Sequence, residues 1–256
     1  MSDASTKPLA GKVALVTGSV RRIGRATALE AARDGAAVVI HARNSEDEAR
    51  ATAAEIEALG VPSLVCLADI TDEAAVRAMA TRIRERFGRL DVLVNNAGIR
   101  AQVPFQEMTL AQWREITRTI LDGAFLVTSA CLPVMLASGQ GGCIVNIGGG
   151  SAHVGALHRA HVVTAKAGLV GFTRALATEL APHKITVNCI APGRIGGPRS
   201  KTAGAAPPDH GGAQELVARE GRPEDVAAMI RPLWLPTGSY MTGQTLHVDG
   251  GRYLSS

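Results

Sequence analysis

The sequence predicts an α/β fold, a single-domain doubly wound parallel sheet, from three observations. Short apolar runs alternate with helical stretches along the whole chain. The runs are apolar or β-branched throughout, as strands are when helices cover both faces of a parallel sheet. A glycine-bearing turn joins the first run to the first helix, which is how such sheets begin.

The strand Val13–Val16 opens the series, and a helical stretch over residues 24–34 follows it. The next strand covers 37–40 and the next helix 49–59. Strands at Ser63–Leu67, 92–94, 144–147, 186–190 and Thr245–Val248 continue the alternation. No internal repeat and no linker divides the chain, so residues 1–256 read as one domain with a core over 11–251. Residues 193–212, GRIGGPRSKTAGAAPPDHGG, break the rhythm, being rich in Gly, Pro and Ala without apolar periodicity. A loop of that length is either a surface insertion or a lid, and a substrate lid over 193–220 is the expectation.

Composition narrows the function classes. The 256 residues are 46% hydrophobic and 20% charged, ordinary values for a globular protein that needs no disulfide or metal staple. Cys66, Cys131, Cys143 and Cys189 lie far apart and read as buried, reduced thiols; no metal site is expected. Net charge is +4, but the basic residues are scattered and aromatics are few, so no nucleic-acid surface is expected. The first nine residues are polar and no run approaches 18 apolar residues, which predicts neither signal peptide nor membrane span. A cytoplasmic protein acting on a small molecule is the expectation.

After the first strand the chain reads Thr17-Gly18-Ser19-Val20-Arg21-Arg22-Ile23-Gly24-Arg25 and enters a helix. Glycine lets backbone approach a pyrophosphate, and a helix N-terminus offers free N–H groups at the positive end of a dipole. The strand before and the helix after make this Rossmann-type reading specific. At the end of the second strand, a carboxylate would normally bind the ribose diol of NAD. Here the chain reads His41-Ala42-Arg43-Asn44-Ser45, with no Asp or Glu from 36 to 45. Arg43 matches a phosphate in charge and geometry, and Asn44 and Ser45 add neutral donors. The expected cofactor is therefore NADP(H).

With Asp69-Ile70, Asn95-Asn96-Ala97-Gly98, Lys166-Ala167-Gly168, Pro192-Gly193 and Val248-Asp249-Gly250-Gly251 following in order, the chain resembles the classical short-chain dehydrogenase/reductase family. The likeness runs from about residue 11 to 251. Arg22 stands where most members have glycine, and this loop together with the His-x-Arg-Asn-Ser stretch resembles the pteridine reductases. The resemblance implies cofactor contacts from Gly18, Ser19, Arg21, Arg22, Ile23 and Gly24 at the phosphates. Arg43, Asn44 and Ser45 are expected at the 2′-phosphate, and Asp69 and Ile70 at the adenine. Asn95, Ala97 and Gly98 would support the adenosine and the central sheet. Lys166 would bind the nicotinamide ribose, and Pro192, Gly193 and Ile195 would lie along the nicotinamide. Members are commonly homotetramers or homodimers, which implies a homo-oligomer formed through helices near 110–135 and 161–180.

The same resemblance exposes a departure. The family's acid–base tyrosine, four residues before the lysine, is Val162 here; its serine partner is Gly149 and its asparagine is Ile120. Only Lys166 remains of the catalytic tetrad, and a threonine expected near the nicotinamide amide is Gly197. Valine has no proton to give to a developing alkoxide, so the family's usual ketone reduction is closed. His153, His158, Arg159 and His161 are close in sequence. If the segment is helical, 158, 162 and 166 share one face, which makes His158 the candidate acid beside Lys166, with His161 turned away. Loop or subunit-interface histidines are the alternative. Arg159 and Arg194 are candidates to pair with an anionic substrate. The expected reaction moves hydride between NADP(H) and a small carbonyl, imine or activated C=C substrate. Lyase, isomerase, dehalogenase or hydrolase chemistry without net hydride transfer, and a non-catalytic NADP(H)-binding role, are the alternatives.

Overall fold

Four consecutive buried residues, Val13–Val16, form β1, the strand on which the sheet is built. Val13 and Leu15 face one side and Ala14 and Val16 the other, so β1 contributes to two cores at once. α1 (Arg22–Arg33), β2 (Ala37–Ala42), α2 (Glu46–Ala58), β3 (Ser63–Leu67), α3 (Glu73–Phe87) and β4 (Val92–Asn95) follow. The second half holds α4 (Leu110–Thr117), a π-helical turn at Arg118–Asp122, α5 (Gly123–Ala137), β5 (Gly142–Ile147), α6 (Ser151–Val154) and α7 (Ala160–Leu180). β6 (Ile185–Pro192), α8 (Pro223–Trp234) and β7 (Thr245–Val248) complete it. This computed structural model describes residues 7–197 and 215–254, so most of the lid expected over 193–220 lies outside the described residues.

All seven strands are parallel, in the order β3-β2-β1-β4-β5-β6-β7. The expected doubly wound sheet is thus present. Strand order reverses between β1 and β4, and the crevice beyond the carboxyl ends of those strands is where open α/β sheets bind ligands. α1, α2 and α8 cover one face, with Ala28, Ile56 and Ile230 in its core. α3, α5 and the end of α7 cover the other, with Ile83, Val127 and Leu180. A third, smaller cluster joins Ile116, Ile120, Ala124, Val162, Ala165 and Leu169 between the π-helical turn and α7.

One helix bears on the membrane expectation. Leu110–Ala137 is a continuous helical stretch of 28 residues, long and apolar enough to cross a membrane. Scattered polar residues interrupt it, so a search for unbroken apolar runs passes over it. In this fold Val127, Cys131, Val134 and Met135 of α5 are buried against the sheet, as in a core helix.

Candidate functional site

The phosphate loop is built by backbone geometry. Gly18 has φ +62°, and a Cβ at Gly24 would lie 2.2 Å from the Gly18 carbonyl oxygen, so neither position accepts an ordinary side chain. α1 starts with no capping side chain and no acidic residue in its first turn. Its leading amides are thus left for an anion, and the bare backbone cradle fits a cofactor pyrophosphate. Thr17 ties this loop to β4: its hydroxyl accepts from the Asn96 and Ala97 N–H groups at 2.9 and 3.0 Å. The Asn96 side chain donates to the Thr17 and Gly18 carbonyls at 2.8 and 3.1 Å.

His41 is a structural part of this loop that sequence reasoning missed. Its buried ring accepts the Gly18 N–H at Nδ1 (3.0 Å), so the proton is assigned to Nε2, which donates to the Ala68 carbonyl (3.0 Å). Burial lowers its pKa and favours this neutral form. A histidine at a fully buried position of a strand was the available signal. Ser19 is corrected likewise: it is buried and its hydroxyl accepts the His41 N–H at 2.9 Å rather than facing the groove. Asn95 is also an interior residue, donating to Thr128 and Asn146 at 2.9 Å each, and Asn96 does the loop-tethering. Ile23 belongs to the apolar core below the loop.

At the exit of β2, Arg43 and Asn44 are exposed and Arg43 lies 3.9 Å from the Asp69 carboxylate. Asp69 accepts from the Thr71 N–H and hydroxyl at 2.9 and 2.8 Å, which holds its carboxyl below the usual range. Ile70 packs against Gly123, where a Cβ would lie 2.5 Å from its Cδ1. Arg21 was expected over the phosphate loop, but its guanidinium pairs with Glu48 and reaches the Ser45 hydroxyl at 3.5 Å. Arg21, Arg43, Asn44 and Ser45 therefore gather at the exit of β2, together with the Glu48 and Asp69 carboxylates.

On the opposite side, Gly193 donates to the Val248 carbonyl at 3.0 Å, and a Cβ there would lie 2.5 Å from the Asp249 Cβ. Pro192 ends β6, and Ile195 pairs with Gly221 as an isolated parallel bridge. The described ends of the expected lid, 193–197 and 215–220, thus meet here. Arg194, a substrate candidate, forms an ion pair with Glu220 at 2.9 Å. Arg22 departs from the sequence expectation: its guanidinium donates to the Ile195 and Gly197 carbonyls.

Between these halves stands Lys166. Its Nζ donates to the Ile147 carbonyl at the end of β5, and lies 3.9 Å from where a Cβ on Gly98 would be. Burial, then the charges of Arg100 and Arg159, bring its pKa down to about 8. The glycines of 148–150 differ in their demands. A Cβ at Gly148 would lie 2.7 Å from Cys189 Sγ, and one at Gly150 would lie 2.6 Å from the Tyr253 ring. Gly149, the serine position, is open: its nearest neighbours would be Lys166 Cγ and Ser151 Oγ, both at 4.0 Å. Ser151 is thus the hydroxyl beside the missing one, two residues on in sequence.

The histidine expectations need correction. α7 begins at Ala160, so His158 is outside it, exposed, with φ +58° and its carbonyl accepting the Val103 N–H at 2.8 Å. The i, i+4 argument that aimed His158 at Val162 therefore fails. His161 is fully buried, with both ring nitrogens lacking a hydrogen-bond partner among the described residues, and burial lowers its pKa. His153 is exposed and packs on the His247 ring at 4.6 Å, at the end of the sheet. Arg159 occupies the N-cap position of α7 without a side-chain capping bond, and is the substrate candidate whose charge reaches Lys166.

The family described as enoyl-(acyl carrier protein) reductase matches residues 18–252, nearly the whole fold. The 3-oxoacyl-[acyl-carrier-protein] reductase FabG of Staphylococcus aureus is 37% identical over 243 residues, covering 95% of this chain and 98% of its own. The chain belongs to the short-chain dehydrogenase/reductase family. Among solved members, a short chain dehydrogenase from Burkholderia cenocepacia in complex with NADP superposes with TM-score 0.86 at 36% identity, covering 96% of this chain and 99% of that one. Acetoin dehydrogenase from Enterobacter cloacae gives 0.84 at 36%, covering 98% and 96%. As a short-chain dehydrogenase/reductase, this chain keeps the phosphate loop and the lysine. It carries apolar residues or none at Ile120, Gly149 and Val162.

Proposed function

We propose that this short-chain dehydrogenase/reductase is an NADP(H)-dependent oxidoreductase in which Lys166 itself holds the transferable proton. One observation carries the reading: the Lys166 ammonium stands beside Gly98 and the open space over Gly149, with its pKa brought to about 8. Arg21, Arg43, Asn44 and Ser45 support the phosphorylated cofactor over NAD(H): residues 36–45 carry no Asp or Glu, and the nearby Glu48 and Asp69 carboxylates each face an arginine. The pteridine-reductase-like Arg22 loop belongs to the same reading.

When bound, the nicotinamide supplies or accepts a hydride at C4. Lys166 Nζ would give its proton to the oxygen or nitrogen of a reduced C=O or C=N bond, or to the α-carbon of a reduced activated alkene, and water would restore it. Burial and the repulsion of Arg100 and Arg159 favour release of that proton near neutrality. Substrates are small carbonyls, imines or activated alkenes; an iminium, which already carries its proton, needs the least from this site. Arg159 at the head of α7 would favour an anionic group on the same molecule. The enzyme is read as a cytoplasmic homo-oligomer, for which light scattering should give a dimer or tetramer mass.

A second reading has its own support. Ile120 and Val162 are packed into one apolar cluster, which suits a non-catalytic NADP(H)-binding protein. Incubation of the protein with NADPH and panels of aldehydes, ketones, cyclic imines and enones separates the readings. Substrate-dependent loss of nicotinamide absorbance supports the oxidoreductase. Product without that loss indicates lyase, isomerase, dehalogenase or hydrolase chemistry. Tight binding with no product indicates the non-catalytic role.

A further inference from the structure

Arg22 adopts φ +49°, in the left-handed region that favours glycine, so a side chain at this point of the phosphate loop is held against its backbone preference. Its neighbours look elsewhere. Arg21 pairs with Glu48 and Arg25 with Glu55, both on α2. Arg22 alone of the three reaches the nicotinamide side, where NH1 donates to the Gly197 carbonyl at 3.0 Å and NH2 to the Ile195 carbonyl.

The acceptors form a pattern. Segment 194–197 is paired on its other edge with Gly221: Gly196 donates to the Gly221 carbonyl at 2.7 Å, and Gly221 donates to the Arg194 carbonyl at 3.1 Å. The carbonyls of 195 and 197 alternate with these and face Arg22, as the free edge of a strand faces a neighbouring strand. The planar guanidinium takes the place of that neighbour, its two donors matching two carbonyls two residues apart. Gly197 has φ +100°, with nothing within 4 Å of a would-be Cβ among the described residues, so its backbone conformation calls for glycine. The two departures at 22 and 197 therefore meet in one hydrogen bond.

We infer that Arg22 is a positioning residue: it clamps segment 195–197 to the phosphate loop and so sets the nicotinamide half of the cofactor groove. The clamp does the ordering that a side chain at 197 cannot do. This rests on the NADP(H) reading of the groove.

The test uses the full chain and its variants R22G, R22K and R22G/G197T, titrated by calorimetry with NADPH and with 2′,5′-ADP, which lacks the nicotinamide half. R22G should weaken NADPH roughly ten-fold or more and 2′,5′-ADP less than two-fold. R22K should stay weak, since one ammonium does not reproduce a planar pair of donors. R22G/G197T should not recover the NADPH affinity, since a β-branched threonine is strained at φ +100°. Equal weakening of both ligands by R22G would mean a charge acting on the phosphates, and unchanged NADPH affinity would mean an idle side chain; either overturns the clamp. If the unaltered protein binds neither ligand, the cofactor reading fails by itself. Hydrogen exchange then decides the clamp: amides of 194–197 protected in the unaltered protein and exposed in R22G support it, and equal protection refutes it.

Discussion

Ile120, in the π-helical turn, and Val162, in the first turn of α7, share one buried apolar cluster, each only 2% exposed. The family resemblance would put an asparagine and a tyrosine at these positions. Here they have become packing residues, while Gly149 between them in function remains open. The three changes are therefore unequal in what reversing them would cost.

G149S should leave the melting temperature within about 2 °C of the unaltered protein, because the added Cβ meets nothing closer than 4.0 Å among the described residues. V162Y alone should destabilise by about 1–3 kcal/mol through overpacking, without creating ketone reduction. Calorimetry and NADPH oxidation with a simple ketone check both. Efficient ketone reduction by V162Y alone would show that the other two positions are dispensable.

Lys166 sets the pH profile. Its pKa is lowered to about 8, so the proton it donates is present below that pH and lost above it. In the reductive direction, kcat/KM should fall tenfold per pH unit above about 8, whereas an ordinary lysine would hold its proton to about 10.4. K166M should abolish turnover, and H158Q should leave it within about two-fold. A plateau to pH 10, measured by stopped assay on a responsive substrate, would remove Lys166 as the donor.

Cofactor choice is read from the end of β2. R43A should weaken NADPH binding roughly ten-fold or more, the scale of a lost charged hydrogen bond, and leave NADH nearly unchanged. Equal or tighter NADH binding by the unaltered protein in calorimetric titration would contradict the assignment.

His41 makes the phosphate loop acid-sensitive. Its folded pKa lies below the usual 6.5, so the unfolded chain takes up the proton more readily than the native one. The stability of the neutral ring is present above pH 6.5 and is lost as pH falls through the lower folded value. The melting temperature of the unaltered protein should drop between pH 6.5 and 5, and that of H41Q should vary less over the same range. Parallel curves would show that the ring titrates alike in the folded and the unfolded chain.

The sequence by itself determined the parallel sheet, the glycine turn at 18–24 and the apolar or absent side chains at 120, 149 and 162. Strand and helix periods are local, and a glycine forced by a carbonyl 2.2 Å away leaves its mark in the chain as a glycine. It did not determine where side chains at those positions point. Arg21 and Arg22 are neighbours with the same chemistry, yet one binds Glu48 on α2 and the other clasps 195 and 197, 173 and 175 residues away. The left-handed backbone at Arg22 and the fixed place of β6 decide that, and both depend on packing of the whole sheet. His158 shows the converse: equal spacing to Val162 and Lys166 promised a shared helix face, but α7 starts at Ala160. The His158 carbonyl accepts the Val103 N–H instead, a tertiary contact that no local period records.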